Sequence, residues 1–143
     1  MIYFDSTYIV RLYYKDPGFE VVRQLATTAP VGCASHGRAE VVAALHRKLR
    51  EGSLSPRLYD IVLQEFMEES RAGAFHWLPL SSLVFERINK TYANLPSDVF
   101  LRAADAMHLA CAAENRFREV HSNDQRLLAA AQIAHACQQR AVA

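Results

Sequence analysis

Met1-Ile2-Tyr3-Phe4-Asp5-Ser6-Thr7-Tyr8-Ile9-Val10-Arg11-Leu12-Tyr13 opens the chain and sets the pattern for the rest of it. The first four residues are a compact apolar run, too short for a helix and rich in strand formers. Asp5-Ser6 ends the run, and Ser6 can cap a following helix. Tyr8, Ile9, Leu12 and Tyr13 then keep helical spacing until Asp16-Pro17-Gly18 stops it. A strand thus runs directly into a helix, with an acid at the junction.

The same unit recurs outward from this start. A helix is expected over Phe19–Ala26 and a short strand over Pro30–Ala34. Ser35 is read as the cap of a helix whose inward stripe is Val41, Val42, Leu45 and Leu49, and Gly52 ends it. Ser55-Pro56 places a cap before a first-turn proline, and Leu58, Ile61, Val62 and Phe66 carry that helix to about Gly73. Phe75–Leu78 reads as a strand, and Ser81 or Ser82 opens a helix to Asn94. Ser97 is expected to cap a long Ala-rich helix reaching Asn115. Phe117–His121 reads as a strand, Gln125–Ala131 as a helix and Ile133–Ala136 as a last strand. Short strands alternating with helices predict an α/β fold with a mostly parallel sheet of about five strands. Such sheets bind ligands beyond the carboxyl ends of their strands, so residues just after strands are the places to look for chemistry.

The 143 residues are expected to form a single domain, 1–143. Hydrophobic residues at 51% and charged residues at 22% exclude a disordered or collagen-like chain. No apolar run approaches the ~18 residues of a membrane span. The first residues carry no basic region, and an acid falls at position 5, which argues against a secretory signal. Cys33, Cys111 and Cys137 are odd in number and widely spaced, as expected of reduced thiols in a cytoplasmic protein. A net charge of +1 excludes nucleic-acid binding by bulk charge alone. The cations are mostly arginine, with lysine only at 15, 48 and 90. Arginine's planar fork suits phosphate and carboxylate, although an Arg-biased genome gives the same composition.

Asp5, Glu40, Asp105 and Asp124 stand out against this background. Asp5 follows the first strand, and Asp124 lies three residues past the strand ending at His121. Either one alone also reads as a helix cap. Asp105 shares a face with Leu101, His108, Leu109 and Ala112 in a very apolar stretch. A carboxylate there is costly unless it is paired, protonated or bound to a cation. An ion pair with Arg102 is the plain alternative. Glu40 adjoins Val41 and Val42 in a first helical turn, where an acid also suits the helix dipole. Glu65, Glu68 and Glu69 form a charge run on a helix and read as a solvated face.

Convergence of the four acids has a calculable cost. At about 5 Å and an effective dielectric of about 20, each like-charged pair repels by roughly 3 kcal/mol. Several such pairs rival the ~5–15 kcal/mol stability of a whole domain. Convergence therefore requires a cation, or protonation of some of the acids. All-oxygen ligation, with no cysteine or paired histidine, selects a hard ion such as Mg²⁺ or Mn²⁺. Such an ion activates water and neutralises phosphate oxygens, which is the chemistry of phosphodiester hydrolysis.

Four segments together resemble the PIN-domain ribonucleases of the VapC toxin type. They are Tyr3-Phe4-Asp5-Ser6-Thr7, Arg38-Ala39-Glu40-Val41-Val42-Ala43-Ala44-Leu45, Leu101-Arg102-Ala103-Ala104-Asp105-Ala106-Met107-His108-Leu109-Ala110 and Ser122-Asn123-Asp124-Gln125-Arg126-Leu127. Their order and spacing follow the family from the first residues to about position 131. Ser122 stands where the family often has threonine, and Gln132-Ile133 replaces a common Gly-apolar turn. The resemblance implies a parallel five-stranded sheet between helices, with the metal held by Asp5, Glu40, Asp105 and Asp124. It also implies cleavage of single-stranded RNA, a homodimer, and a cognate antitoxin that covers the active site. The expected reaction is in-line attack of water on phosphorus, leaving 3′-hydroxyl and 5′-phosphate ends. A nuclease of the same fold acting on DNA or structured nucleic acid stays open, as does a catalytically silent binding module whose acids are neutralised by arginines.

Other side chains have two readings each. Ser6 is a cap or orients Asp5, and Ser122 caps a loop or meets the phosphate. His108, one turn from Asp105, reads as a core histidine bonded to the backbone, or else as a general base. Arg102 and Arg126 can meet RNA phosphate at the rim, although Arg102 can equally pair with Asp98. Phe75 and Trp77 read as core, and Tyr8 and Tyr13 as packing or base-stacking groups.

Overall fold

The computed structural model describes the backbone of residues 1–134 and 138–141, and the side chains of residues 1–133. Its elements run β1 (Ile2–Phe4), α1 (Ser6–Tyr13), α2 (Phe19–Ala26), β2 (Val31–Ala34), α3 (Gly37–Arg50), α4 (Pro56–Ala72) and β3 (Phe75–Leu78). They continue with α5 (Ser82–Asn94), α6 (Ala103–Glu114), β4 (Glu119–Ser122), α7 (Gln125–Ala134) and β5 (Gln138–Ala141). The five strands form one sheet in the order β3-β2-β1-β4-β5, and every pairing is parallel. The expected α/β architecture is therefore present.

Strand alternation builds a core on each face of the sheet. Tyr3 of β1 and Val120 of β4 pack with Val84 of α5, Leu109 of α6 and Leu127 of α7. Phe4, Val31 and Cys33 point the other way, onto Tyr8, Ile9, Val22, Val41, Leu45 and Phe66 of the first four helices. Each fully buried side chain of this size stabilises the fold by about 1.5–3 kcal/mol. Phe75 is buried as expected, while Trp77 is half-buried and donates its indole N–H to Ser70 Oγ at 2.9 Å. Tyr8 and Tyr13 pack within the protein's own core cluster, Tyr8 fully buried and Tyr13 partly so, rather than forming a stacking platform.

Several boundaries move from their expected places. The cap of α1 is Asp5, whose Oδ1 accepts from Tyr8 N–H at 3.1 Å, and not Ser6. Helix α3 has His36 in the cap position with no side-chain cap bond, where Ser35 was expected. Helix α6 begins at Ala103 rather than after Ser97. A turn from Val99 N–H to Pro96 O follows the proline, and Tyr92 Oη donates to Leu101 O at 2.8 Å. Leu101 is buried in the core ahead of the helix, which leaves Arg102, in extended backbone, at the mouth of α6. Strand β4 starts two residues late, at Glu119. Helix α7 runs on to Ala134, so Ile133 is helical, and β5 lies at Gln138–Ala141 instead of Ile133–Ala136. Of that expected strand, His135 and Ala136 lie outside the described residues, as does Cys137.

The strand order reverses direction between β1 and β4. A crevice opens at that point beyond the carboxyl ends of parallel strands, because the helices leaving the two strands go to opposite sides. Asp5 follows β1, and Ser122 ends β4.

Candidate active site

Asp5 is buried at the end of β1 and accepts three hydrogen bonds. They come from Thr7 Oγ1 at 2.6 Å, Tyr8 N–H at 3.1 Å and Ser122 Oγ at 2.5 Å. A carboxylate has about four acceptor positions, so roughly one remains open. Burial lifts the Asp5 carboxyl above its ordinary range, against the charge of His108 and the three hydrogen bonds. Ser122 and Thr7 tie β1 to the loop after β4. Ser122 Oγ also accepts from Asp124 N–H at 2.9 Å, and Thr7 Oγ1 accepts from Asn123 N–H at 3.1 Å. Ser122 thus acts as more than a loop cap, linking Asp5 to Asp124.

Asp124 caps α7 through Oδ1, which accepts from Arg126 N–H at 2.9 Å. Its Oδ2 accepts from Arg102 Nη2. The same guanidinium grips Asp105, with Nε to Oδ2 at 2.7 Å and Nη2 to Oδ1 at 3.1 Å. Arg102 therefore pairs with Asp105 and Asp124 rather than with Asp98. The expected alternative of a buried ion pair at Asp105 is what the structure shows. Asp105 is buried, while the Arg102 side chain is 48% exposed, so this cation sits over the acids from the solvent side.

Glu40 takes a different partner. Its Oε2 accepts from His108 Nε2 at 2.7 Å, and His108 Nδ1 faces Tyr3 Oη at 2.8 Å. Tyr3 Oη in turn accepts from Ala34 N–H at 3.1 Å. Because an ionised carboxylate only accepts, Nε2 carries a proton towards Glu40. Burial pushes the Glu40 carboxyl up, but the hydrogen bond and charge of His108, with His36 and Ser6, outweigh it. The carboxyl ends below its ordinary range. Ser6 is thus a partner of Glu40 and does not orient Asp5. His108 is a core histidine, as expected, but it bonds side chains instead of backbone.

The expectation of no paired histidine needs correction. His36, Glu40 and His108 present ligand atoms within 4.8 Å of one another. His36 Nε2 lies 3.1 Å from Ala104 O, and its Nδ1 is the one buried side-chain polar atom without a partner among the described residues. Both nitrogens of His108 are engaged, so this group braces Glu40 through hydrogen bonds. His36 sits one helical turn before Glu40, the spacing that could have drawn attention to it. Its meeting with His108 depends on packing between α3 and α6.

Glu40, Arg102 and Asp124 line a cleft of about 620 Å³ with Arg47 and Arg50. An adjoining cleft of about 460 Å³ adds Arg11, Lys48 and Arg126 around Asp124. Glu40 and Asp124 thus share these clefts with several basic side chains, Arg126 among them as expected, and with Asp16. Burial pushes the Cys33 thiol well up and the Cys111 thiol up to about 11, so neither is a nucleophile at neutral pH.

The oxygens of Asp5, Asp105, Asp124 and Glu40 suit a hard divalent ion. Asp105 and Asp124 both hold the Arg102 guanidinium, whereas among the described residues the group of three possible ligands within 4.8 Å of one another, His36, Glu40 and His108, includes neither of them nor Asp5.

A family profile described as PIN domain matches residues 2–133. The chain belongs to the PIN-domain family. Among solved structures, FitAcB from Neisseria gonorrhoeae is similar at 20% identity, covering 98% of this PIN-domain chain and 97% of its own, with a TM-score of 0.75. VapC20 of Mycobacterium tuberculosis, described as a sarcin–ricin loop cleaving toxin, is similar at 16% identity over 91% of this chain and 95% of its own, with a TM-score of 0.67. VapBC2 from Rickettsia felis, bound to a DNA fragment from its promoter, is similar at 14% identity over 99% and 98%, also at 0.67. Comparison with curated protein sequences finds no match. Among the described residues, no helix is long and apolar enough to cross a membrane.

Proposed function

We propose that this PIN-domain chain is a Mg²⁺- or Mn²⁺-dependent endoribonuclease acting on single-stranded RNA, the toxin of a VapBC-type pair. The observation that carries the reading is the connected set Asp5–Ser122–Asp124–Arg102–Asp105 at the switch point of a parallel sheet. Asp5, Asp105, Asp124 and Glu40 would hold the ion. When bound, it neutralises phosphate oxygens and makes water more acidic. The chain's own groups do the rest. Ser122 and Thr7 fix the Asp5 carboxylate, and His108, braced by Tyr3, fixes Glu40. Arg47 and Arg50 give the cleft a positive rim that draws the RNA backbone towards the acids. The likeness to FitAcB and VapBC2 supports an antitoxin as partner; that the 143 residues act as one unit, as a homodimer in the cytoplasm, is part of the same proposal.

The test uses end-labelled single-stranded RNA and the matched DNA oligonucleotide, with Mg²⁺ and with a chelator. RNA alone should be cut, leaving 5′-phosphate ends. Asp105→Asn should keep the fold and lower the rate at least ~100-fold, as expected for a metal-ligand position. Cleavage by that variant at the wild-type rate sinks the site assignment. Cutting of DNA would instead select the nuclease of other nucleic acids. The Arg102 clamp favours one further reading, a silent module whose acids are permanently neutralised. A protein that cuts nothing and melts at the same temperature with and without Mg²⁺ would select that reading.

A further inference from the structure

We propose that Arg102 is a built-in stand-in for the metal, which a divalent ion must displace to enter the site. The inference rests on the metal-dependent reading above and adds how the ion is admitted. Arg102 Nε and Nη2 hold both oxygens of Asp105, and Nη2 also reaches Asp124 Oδ2. The guanidinium thus occupies the very oxygens that an ion shared by Asp105 and Asp124 needs. Both carboxylates cannot keep the fork and ligate an ion through the same lone pairs.

Three features make Arg102 suited to leaving. Its side chain is about half exposed, so it can swing to solvent without opening the core. It occupies the cap position of α6 in extended backbone and makes no side-chain cap bond, so its departure costs the helix nothing. Asp105 and Asp124 keep their places by other means. Asp105 is carried on α6, and Asp124 is anchored by its cap bonds to α7 and by Ser122. The site therefore persists as the cation changes. Without the arginine, like charges at the strand ends would repel one another in the metal-free protein. Arg102 relieves that repulsion and sets a threshold that the ion must overcome.

Mn²⁺ binding to the full chain tests the exchange, followed by calorimetry and by the electron paramagnetic signal of free Mn²⁺. Arg102→Gln should bind Mn²⁺ at least tenfold more tightly than wild type. Arg102→Lys, which keeps the charge but loses the fork, should fall between them. Arg47→Gln removes a rim charge that does not touch the acids and should change affinity by less than about threefold, since charges of exposed groups are screened. A second readout needs no variant. The Arg102 Nε–H resonance of the wild-type protein should move to the position of a solvent-exposed arginine when Mg²⁺ is added. Equal or weaker Mn²⁺ binding by Arg102→Gln, or an Nε–H resonance that stays put while Mg²⁺ binds, overturns the exchange and leaves the metal site standing. Absence of Mn²⁺ binding in every variant overturns the metal reading itself, and the exchange with it.

Discussion

Asp5 sets burial against charge at the end of β1. Its folded-state carboxyl titrates above the ordinary range because ionisation takes place without solvent. A group whose pKa rises on folding contributes stability at low pH and loses it as pH climbs through the folded value. Ionised Asp5 is thus a local burden on the metal-free protein at neutral pH. Asp5→Asn, measured in chelator, should raise the melting temperature at pH 7 by a few degrees, on the order of 1 kcal/mol. The gain should vanish below about pH 4, where the wild-type carboxyl is also neutral. A variant that melts lower than wild type at pH 7 contradicts this account. At this scale the sequence was informative in part: Asp5, Asp105 and Asp124 are joined through Ser122 and Arg102, while Glu40 is bonded to His108 instead. What it could not show was the division of labour. Arg102, at i−3 from Asp105, was legible as an ion-pair partner. Its second grip on Asp124, twenty-two residues away, depends on the fold. The same holds for His108 and Glu40, which are 68 positions apart.

Among the elements, the contact of α3 with β2 decides where Glu40 stands. Gly37 opens α3, and a methyl group there would come within 2.5 Å of Cys33 Sγ, in the middle of β2. Gly37→Ala should therefore push the helix off the sheet and destabilise the protein by about 1–3 kcal/mol, the usual cost of overpacking. Adding Cys33→Ala should recover most of the loss, because the offending sulfur is gone. A double variant no more stable than Gly37→Ala alone would falsify this account of the contact. Elements bounded by strong punctuation were readable: Ser55-Pro56 starts α4, and Gly73, with φ of 85°, ends it. The start of α6 was not. Asp98, Val99 and Phe100 are weak helix formers, and the helix starts only at the Ala-rich run from Ala103, beyond the buried Leu101.

For the molecule as a whole, the proposed ion is a ligand of the folded state only. At one hundred times its dissociation constant, such a ligand adds about 2.7 kcal/mol of stability. Mg²⁺ or Mn²⁺ should therefore raise the melting temperature by several degrees, chelator should reverse the rise, and Asp105→Asn with Asp124→Asn should abolish it. A melting temperature indifferent to both ions in the wild-type protein would contradict the metal reading. The α/β class and the first four strands were legible because short apolar runs alternate with capped helices, whereas the fifth strand lies later than expected. The strand order was not legible, since it is set by which pairs of faces pack. That order places β1, made from residues 2–4, between β2 and β4, and β4 is not synthesised until residues 119–122. A growing chain on the ribosome thus holds Asp5 early and has nothing to join it to. The proposed metal site can assemble only after Asp124 has emerged, so a chain that stops short of it lacks one of the four acids.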